Sequence, residues 1–389
     1  MAEVRTVADR WANDGEPKRI LSLDGGGIRG ILTLGILERV EALLRKRSSN
    51  PDEFTLSDYF DVISGTSTGA IIAAGLAIGM SVADLREMYE KLGTEIFKTS
   101  AFRYGVFRAK YGKKSLEKRL KAVLSDYATL RSDTLKTGLL VVTKRLDTGS
   151  PWPVSNNPRG KYFKAPKGKT YIPNGDYPLW KVIRASTAAP HFFDPEEIII
   201  TKARTDEEDD VVGEFVDGGV SPHNNPALQT LMYVTLKGYR VGWELGADKL
   251  LLVSVGTGRS NPSVDSSLFA GHHAARSLLS LMHDAADLNE TILQWLSSSR
   301  TSRVIDRELG KLSKDQLGGA DQISYARYDA ELDGAWLRKH AKVEVDDAQA
   351  AALGAMDQPS NAPTLLEIGR GVGKRHVKAA DFPACFDLA

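Results

Sequence analysis

The stretch "LSLDGGGIRG", residues 21–30, decides how the rest of the chain is read. An apolar run leads into Gly25, Gly26 and Gly27, and then into a segment whose Leu32, Ile36, Val40, Leu43 and Leu44 lie along one side of a helix. Strand, glycine turn, helix is an order that brings backbone N–H groups close to negative charge. That charge is either the phosphate of a nucleotide or one that exists only during a reaction. Gly25, Gly27 and Gly30 satisfy G-x-G-x-x-G in the context a dinucleotide site needs. The other half of such a site, an acidic residue closing the second strand, is replaced here by "GTSTG" (65–69). Ile28-Arg29-Gly30 does not supply the Gly-Lys-Ser/Thr of a Walker loop either.

"GTSTG" fits G-x-S-x-G, in which a serine stands on a tight strand-to-helix turn. Gly65 and Gly69 fit because such a turn presses its flanks against the neighbouring strand and helix, where a Cβ would clash. Ser67 is then exposed at a helix N-terminus and needs a base. Of the seven histidines, His191 in "AAPHFF" and His223 in "SPHNNP" lie nearest to other informative segments, but nothing around them marks a triad turn. "FVDGG" (215–219) is better placed: Asp217 ends an apolar strand, and Gly218 and Gly219 let the chain turn.

Buried strands are expected at 19–23, 59–64, 139–143, 214–217 and 249–256, with helices between most of them, including one over 68–78. This alternation predicts a three-layer α/β fold with a mostly parallel sheet. In a parallel sheet, the strand ends at 24, 64 and 217 open on one edge, where α/β sites form. The expected organisation is an N-terminal segment (1–17), a catalytic domain (18–300) and a C-terminal helical extension (301–389) packed on it.

The 389 residues carry a formal net charge of +1, which gives no global pull toward a nucleic-acid polymer. A single cysteine, Cys385, excludes an internal disulfide and fits a reducing, cytoplasmic setting. Residues 1–17 lack the apolar core of a signal peptide, and the longest apolar run, 70–80, is too short to span a bilayer. No His/Cys/Asp cluster has metal-ligand spacing, so neither metal nor cofactor is expected. Two stretches are charge-biased: 103–121 is basic and aromatic, 205–210 acidic. Both read plainly as solvated surface. The first is also a candidate membrane contact, through Phe102, Tyr104, Phe107 and Tyr111 beside Lys113, Lys114, Lys118 and Arg119.

"DGGGIRG", "GTSTG" and "DGG", in this order, resemble the patatin-like phospholipases, and the resemblance extends through "ASTAAP" (185–190) and "DGGVSPHNNP" (217–226) over roughly residues 18–260. It implies a patatin-like fold and a lipid acyl hydrolase with a Ser-Asp dyad: Ser67 as nucleophile and Asp217 as base. Gly25, Gly26, Gly27, Arg29 and Thr68 are implied as the oxyanion site. One departure is His191, where the family pattern leads one to expect an uncharged residue such as threonine. The substrate implied is phospholipid at a membrane surface, with the protein peripheral when active. Some bacterial members are antiphage effectors switched on by cyclic nucleotides, and this chain is similar to them in size and in its C-terminal extension. A cyclic dinucleotide activator is implied on that ground alone, since no residue marks its pocket. A homo-oligomer stays open. So do an esterase or thioesterase acting on soluble acyl donors, a non-hydrolytic nucleotide-binding protein, and a membrane scaffold with an idle dyad. Arg29 either pins the glycine loop or attracts a headgroup phosphate.

Overall fold

A computed structural model describes residues 5–98, 113–190, 192–205, 208–260 and 270–388. His191 and most of the basic stretch 103–121, including Phe102, Tyr104, Phe107 and Tyr111, lie outside the described residues, as do the side chains of Lys113 and Lys114.

Among the described residues the eight strands are β1 (Lys18–Leu23), β2 (Val62–Thr66), β3 (Gly138–Arg145), β4 (Pro151–Ser155), β5 (Glu196–Thr201), β6 (Val211–Asp217), β7 (Gly246–Val255) and β8 (Ile323–Tyr328). They form one sheet in the order β5-β6-β3-β2-β1-β7-β8, with β4 paired to β3. β3, β2, β1, β7 and β8 run parallel. The helices that bear on the site are α1 (Gly30–Arg45), α2 (Thr68–Ala77), α3 (Leu179–Ser186), α4 (Ala227–Thr235), α5 (Ala270–Trp295) and α6 (Ala362–His376).

The three layers follow from the two-residue period of a strand. Leu21, Leu23, Ile63, Leu139 and Val141 point into a core shared with α1, α2, α3 and α6. Their neighbours Ile20, Val62 and Leu140 point the other way, against Trp11, Trp243 and Ala227, Leu231 and Val234 of α4. Because both faces are covered, the inner strands read as continuous apolar runs.

Three expectations need correction. The strand expected over 59–64 starts at Val62: Thr55 and Asp58 form a capping box that winds Leu56–Tyr59 into a helical turn, with the Thr55 N–H donating to Asp58 Oδ2 at 2.7 Å. The segment after residue 300 is not purely helical, since Ile323–Tyr328 adds the edge strand β8. Finally, β6 does not run parallel to its neighbours. It pairs antiparallel with β3, Asp217 opposite Thr143 and Phe215 opposite Arg145.

The register shows how Asp217 still reaches the expected edge. β2 lies along β3 from Gly138 to Val142, and β6 lies along it from Thr143 to Arg145. β4 pairs with Leu140–Lys144 and so occupies the opposite side of β3 across both stretches. β2 and β6 therefore share one side of β3, end to end and pointing at each other. Thr66 pairs with Val142 and Asp217 with Thr143, so the two chains meet at adjacent rungs.

α6 packs on α1 by close approach of small residues. A Cβ at Gly369 would sit 2.2 Å from the Leu32 carbonyl oxygen, and one at Gly35 would sit 2.8 Å from that of Leu366. Replacing glycine by alanine inside a helix ordinarily stabilises by about 1 kcal/mol. Gly369→Ala is predicted to do the reverse, costing about 1–3 kcal/mol through forced separation of the helices. Urea unfolding checks the sign.

Candidate active site

Ser67 stands between β2 and α2 with φ 55° and ψ −124°, a conformation an L-residue adopts only under constraint. The constraint is visible in the glycines around it. A Cβ at Gly65 would lie 2.2 Å from the Gly69 carbonyl oxygen, and one at Gly69 would lie 2.2 Å from that of Leu23, so β1, β2 and α2 close on one another at this turn. Ser67 is partly exposed while residues on either side are buried. Its N–H donates to Ser186 Oγ at 2.9 Å, and Ser186 Oγ donates on to the Val142 carbonyl at 2.6 Å.

Asp217 is 4% exposed and arrives from the other side of the gap. Its own N–H donates to the Ala188 carbonyl at 3.0 Å, and its Oδ1 accepts the Gly219 N–H at 2.7 Å. Burial pushes its carboxyl up to about 6; the facing Ser67 hydroxyl, the Gly219 N–H and the Arg184 guanidinium all hold it down, but by less. Gly218 is needed for the same junction, because a Cβ there would stand 2.3 Å from the Val142 carbonyl oxygen.

The glycine loop lies beside Ser67. The Gly25 N–H is committed to the Asn224 carbonyl at 3.1 Å and the Ile28 N–H to the Met356 carbonyl at 2.8 Å. The N–H groups of Gly26, Gly27 and Thr68 make no hydrogen bond among the described residues. Gly27 has φ +59°, and at Gly26 a Cβ would overlap Thr257, whose Oγ1 donates to the Gly25 carbonyl at 3.0 Å. A Cβ at Gly25 would come 3.0 Å from Ser67 Cβ, so this glycine gives the serine room and is not itself a free donor. Arg29 is 4% exposed and its Nε donates to the Gly26 carbonyl at 3.4 Å. Of its two expected roles, that geometry suits the pinning of the loop. Thr68 Oγ1 shares a hydrogen bond with the Tyr89 hydroxyl, which also donates to the Gly27 carbonyl.

The histidines form no triad among the described residues. The His223 carbonyl accepts from Thr66 Oγ1 at 2.7 Å, but its Nδ1 is buried without a hydrogen bond among the described residues, and burial pushes its imidazole toward the neutral form. Burial also pushes the His283 imidazole down, and the charges of Arg29 and Arg259 add to it. No group of three His, Cys, Asp or Glu among the described residues is placed to hold a metal ion.

Several supporting residues lie in stretches that carry no catalytic signal of their own. Ser186 and Ala188, in "ASTAAP", hold Ser67 and Asp217 respectively. Asn224, in "SPHNNP", donates from Nδ2 to the Gly25 carbonyl at 3.3 Å. Its loop is tied down by Asn289 of α5, which donates to the Pro222 carbonyl at 2.8 Å. Tyr89 and Met356 had no local signal, because they reach the loop from distant elements.

A family model described as patatin-like phospholipase matches residues 21–231. Over 220 residues the chain is 31% identical to a cGAMP-activated phospholipase of Vibrio cholerae, covering 54% of this chain and 56% of that protein. It is 27% identical over 268 residues to a cGAMP-activated phospholipase of Escherichia coli, covering 68% of each. Identity to Patatin-05 of Solanum tuberosum is 28% over 397 residues, 99% of this chain and 90% of that protein. The match to the Vibrio protein thus spans little more than half of its length.

The buried carboxylate has a cost that can be measured. A carboxyl whose folded pKa is raised loses stability as pH climbs from about 4 through about 6, because the charged form must then be buried. Asp217→Asn removes that charge and keeps an oxygen for the Gly219 N–H. The variant is predicted to be about 1–3 kcal/mol more stable than wild type at pH 8. The difference should vanish near pH 4, as read by denaturant melts at both pH values.

Proposed function

The chain belongs to the patatin-like phospholipase family, and from that premise we propose that it hydrolyses fatty acyl esters of membrane phospholipids through Ser67 and Asp217. The observation that carries this reading is the meeting of the constrained Ser67 with the buried Asp217, next to a loop whose Gly26 and Gly27 N–H groups make no hydrogen bond among the described residues.

In this reaction Ser67 Oγ attacks the ester carbonyl while Asp217 takes its proton. The carbonyl oxygen becomes negative and accepts from the N–H groups of Gly26, Gly27 and Thr68. Collapse breaks the ester C–O bond, and the proton on Asp217 goes to the departing alcohol oxygen. Water then gives a proton to Asp217 and attacks the acyl-serine, releasing the fatty acid and returning the proton to Ser67. An aspartate at its ordinary pKa near 3.9 is a weak base for a hydroxyl. Burial raises its proton affinity toward the value the step needs, and the N–H groups carry the charge that moves onto substrate. No helix among the described residues is long and apolar enough to cross a membrane, so we propose that the protein meets lipid from the surface. The similarity to cGAMP-activated phospholipases supports a cyclic dinucleotide as activator.

Free fatty acid released from mixed phospholipid vesicles, in chelator and with or without cGAMP, tests the proposal. Ser67→Ala and Asp217→Asn are each expected to lower turnover by about 10³-fold or more. The acid limb of kcat/KM should fall below a pH of about 6 as Asp217 takes up its proton. Full activity in either variant would remove the dyad. Hydrolysis of short soluble esters alone, with phospholipid untouched, would replace the lipid reading by a general esterase.

A further inference from the structure

The glycine loop is held from behind by residues far along the chain. Asp24, between β1 and Gly25, is buried, and both of its carboxylate oxygens are taken by one guanidinium. Arg327 Nη1 donates to Oδ1 at 2.9 Å and Nη2 to Oδ2 at 2.6 Å. The same guanidinium donates to Ser254 Oγ and to Asp329 Oδ2, both at 2.7 Å. Asp329 in turn accepts from the N–H of Gly258 at 2.8 Å. Arg327 belongs to β8, two strands from β1 across β7. At the other end of the loop, the Met356 carbonyl that accepts the Ile28 N–H leaves no room for a side chain at Gly27, where a Cβ would lie 2.3 Å from it. The N–H groups of Gly26 and Gly27, unbonded among the described residues, are thus strung between two anchors, Asp24 and Ile28.

A buried ion pair adds little net stability, because desolvating two charges offsets most of their attraction. Its geometry is another matter. A planar guanidinium gripping both carboxylate oxygens fixes direction as well as distance, which a lysine cannot do. We propose that Arg327 is a positioning residue for the ester hydrolysis set out above. It clamps Asp24 so that the Gly26 and Gly27 N–H groups face the oxygen that becomes negative when Ser67 attacks. The inference rests on that hydrolase reading, and it gives the segment after residue 300 a part in placing the glycine loop.

Removing one charge alone leaves the other buried and unpaired, so two designs are compared in the full chain. Arg327→Lys keeps the charge and loses the fork; Asp24→Asn with Arg327→Gln removes both charges together. Amide exchange over residues 24–30 and kcat and KM on p-nitrophenyl butyrate are measured beside the unfolding midpoint. In both designs, exchange at the Gly25 and Ile28 amides is expected to rise about tenfold or more. kcat should fall about 10- to 100-fold, while KM stays within about threefold, since a misplaced donor is felt in the transition state. Folded variants with kcat within about threefold of wild type, or with unchanged exchange, would overturn the proposal. Should wild type hydrolyse no ester even with cGAMP added while the loop loosens in both designs, the hydrolase reading falls and the clamp on the loop stands.

Discussion

The site depends on one junction in the sheet. β2 and β6 occupy the same side of β3 and run toward each other, with Thr66 opposite Val142 and Asp217 opposite Thr143. A strand that ended one rung earlier would leave the Ser67 hydroxyl without its carboxylate. One rung later, the two chains would collide, since the junction has no room even for a Cβ at Gly218, which would lie 2.3 Å from the Val142 carbonyl oxygen. Segment 186–188 fixes both sides at once: Ser186 accepts from the Ser67 N–H, and the Ala188 carbonyl accepts from that of Asp217. The junction is therefore specified by strand pairing and by hydrogen bonds to the backbone N–H groups of Ser67 and Asp217, one from a side-chain oxygen and one from a carbonyl.

The electrostatics follow from that packing. Because Asp217 is sealed from water by the strands that deliver it, its charged form is disfavoured, and the same burial that costs stability raises its affinity for a proton, as the proposed base role requires. Ser67 likewise sits in a strained backbone conformation maintained by Gly65 and Gly69. Both features lower the stability of the fold locally. They persist because a sheet buried on both faces over-determines the positions of the strand ends.

Local motifs were legible because their physics is local. The run from Leu21 to Gly30 and the turn 65–69 announce strand, glycine turn and helix through spacing and residue type, and the glycines at 65 and 69 are needed for the reason their pattern suggests. The direction of β6 was not legible, since "EFVD" has the same apolar pattern whichever way the strand runs; only its pairing with β3 sets the sense. Tyr59 and Phe60 read as strand by apolarity, yet the Thr55–Asp58 capping box, visible in the sequence as T-x-x-D, wound the first of them into a turn. "ISYARY" (323–328) is buried on both faces, with Ile323 and Tyr325 in one core and Ala326 and Tyr328 in the other, but it holds no catalytic motif that ties it to the site. Arg327 and Met356 gain their meaning only from partners about 300 residues away in the chain.

The central claim is that Ser67, delivered by β2 against Asp217, carries the acyl group. Peptide mapping by mass spectrometry after rapid acid quench of the enzyme with a long-chain p-nitrophenyl ester tests it most directly. The account predicts an acyl mass on the peptide containing Ser67, formed more slowly in Asp217→Asn, and none on any other residue. Hydrolysis that proceeds with no adduct on Ser67, or with the adduct elsewhere, would contradict it.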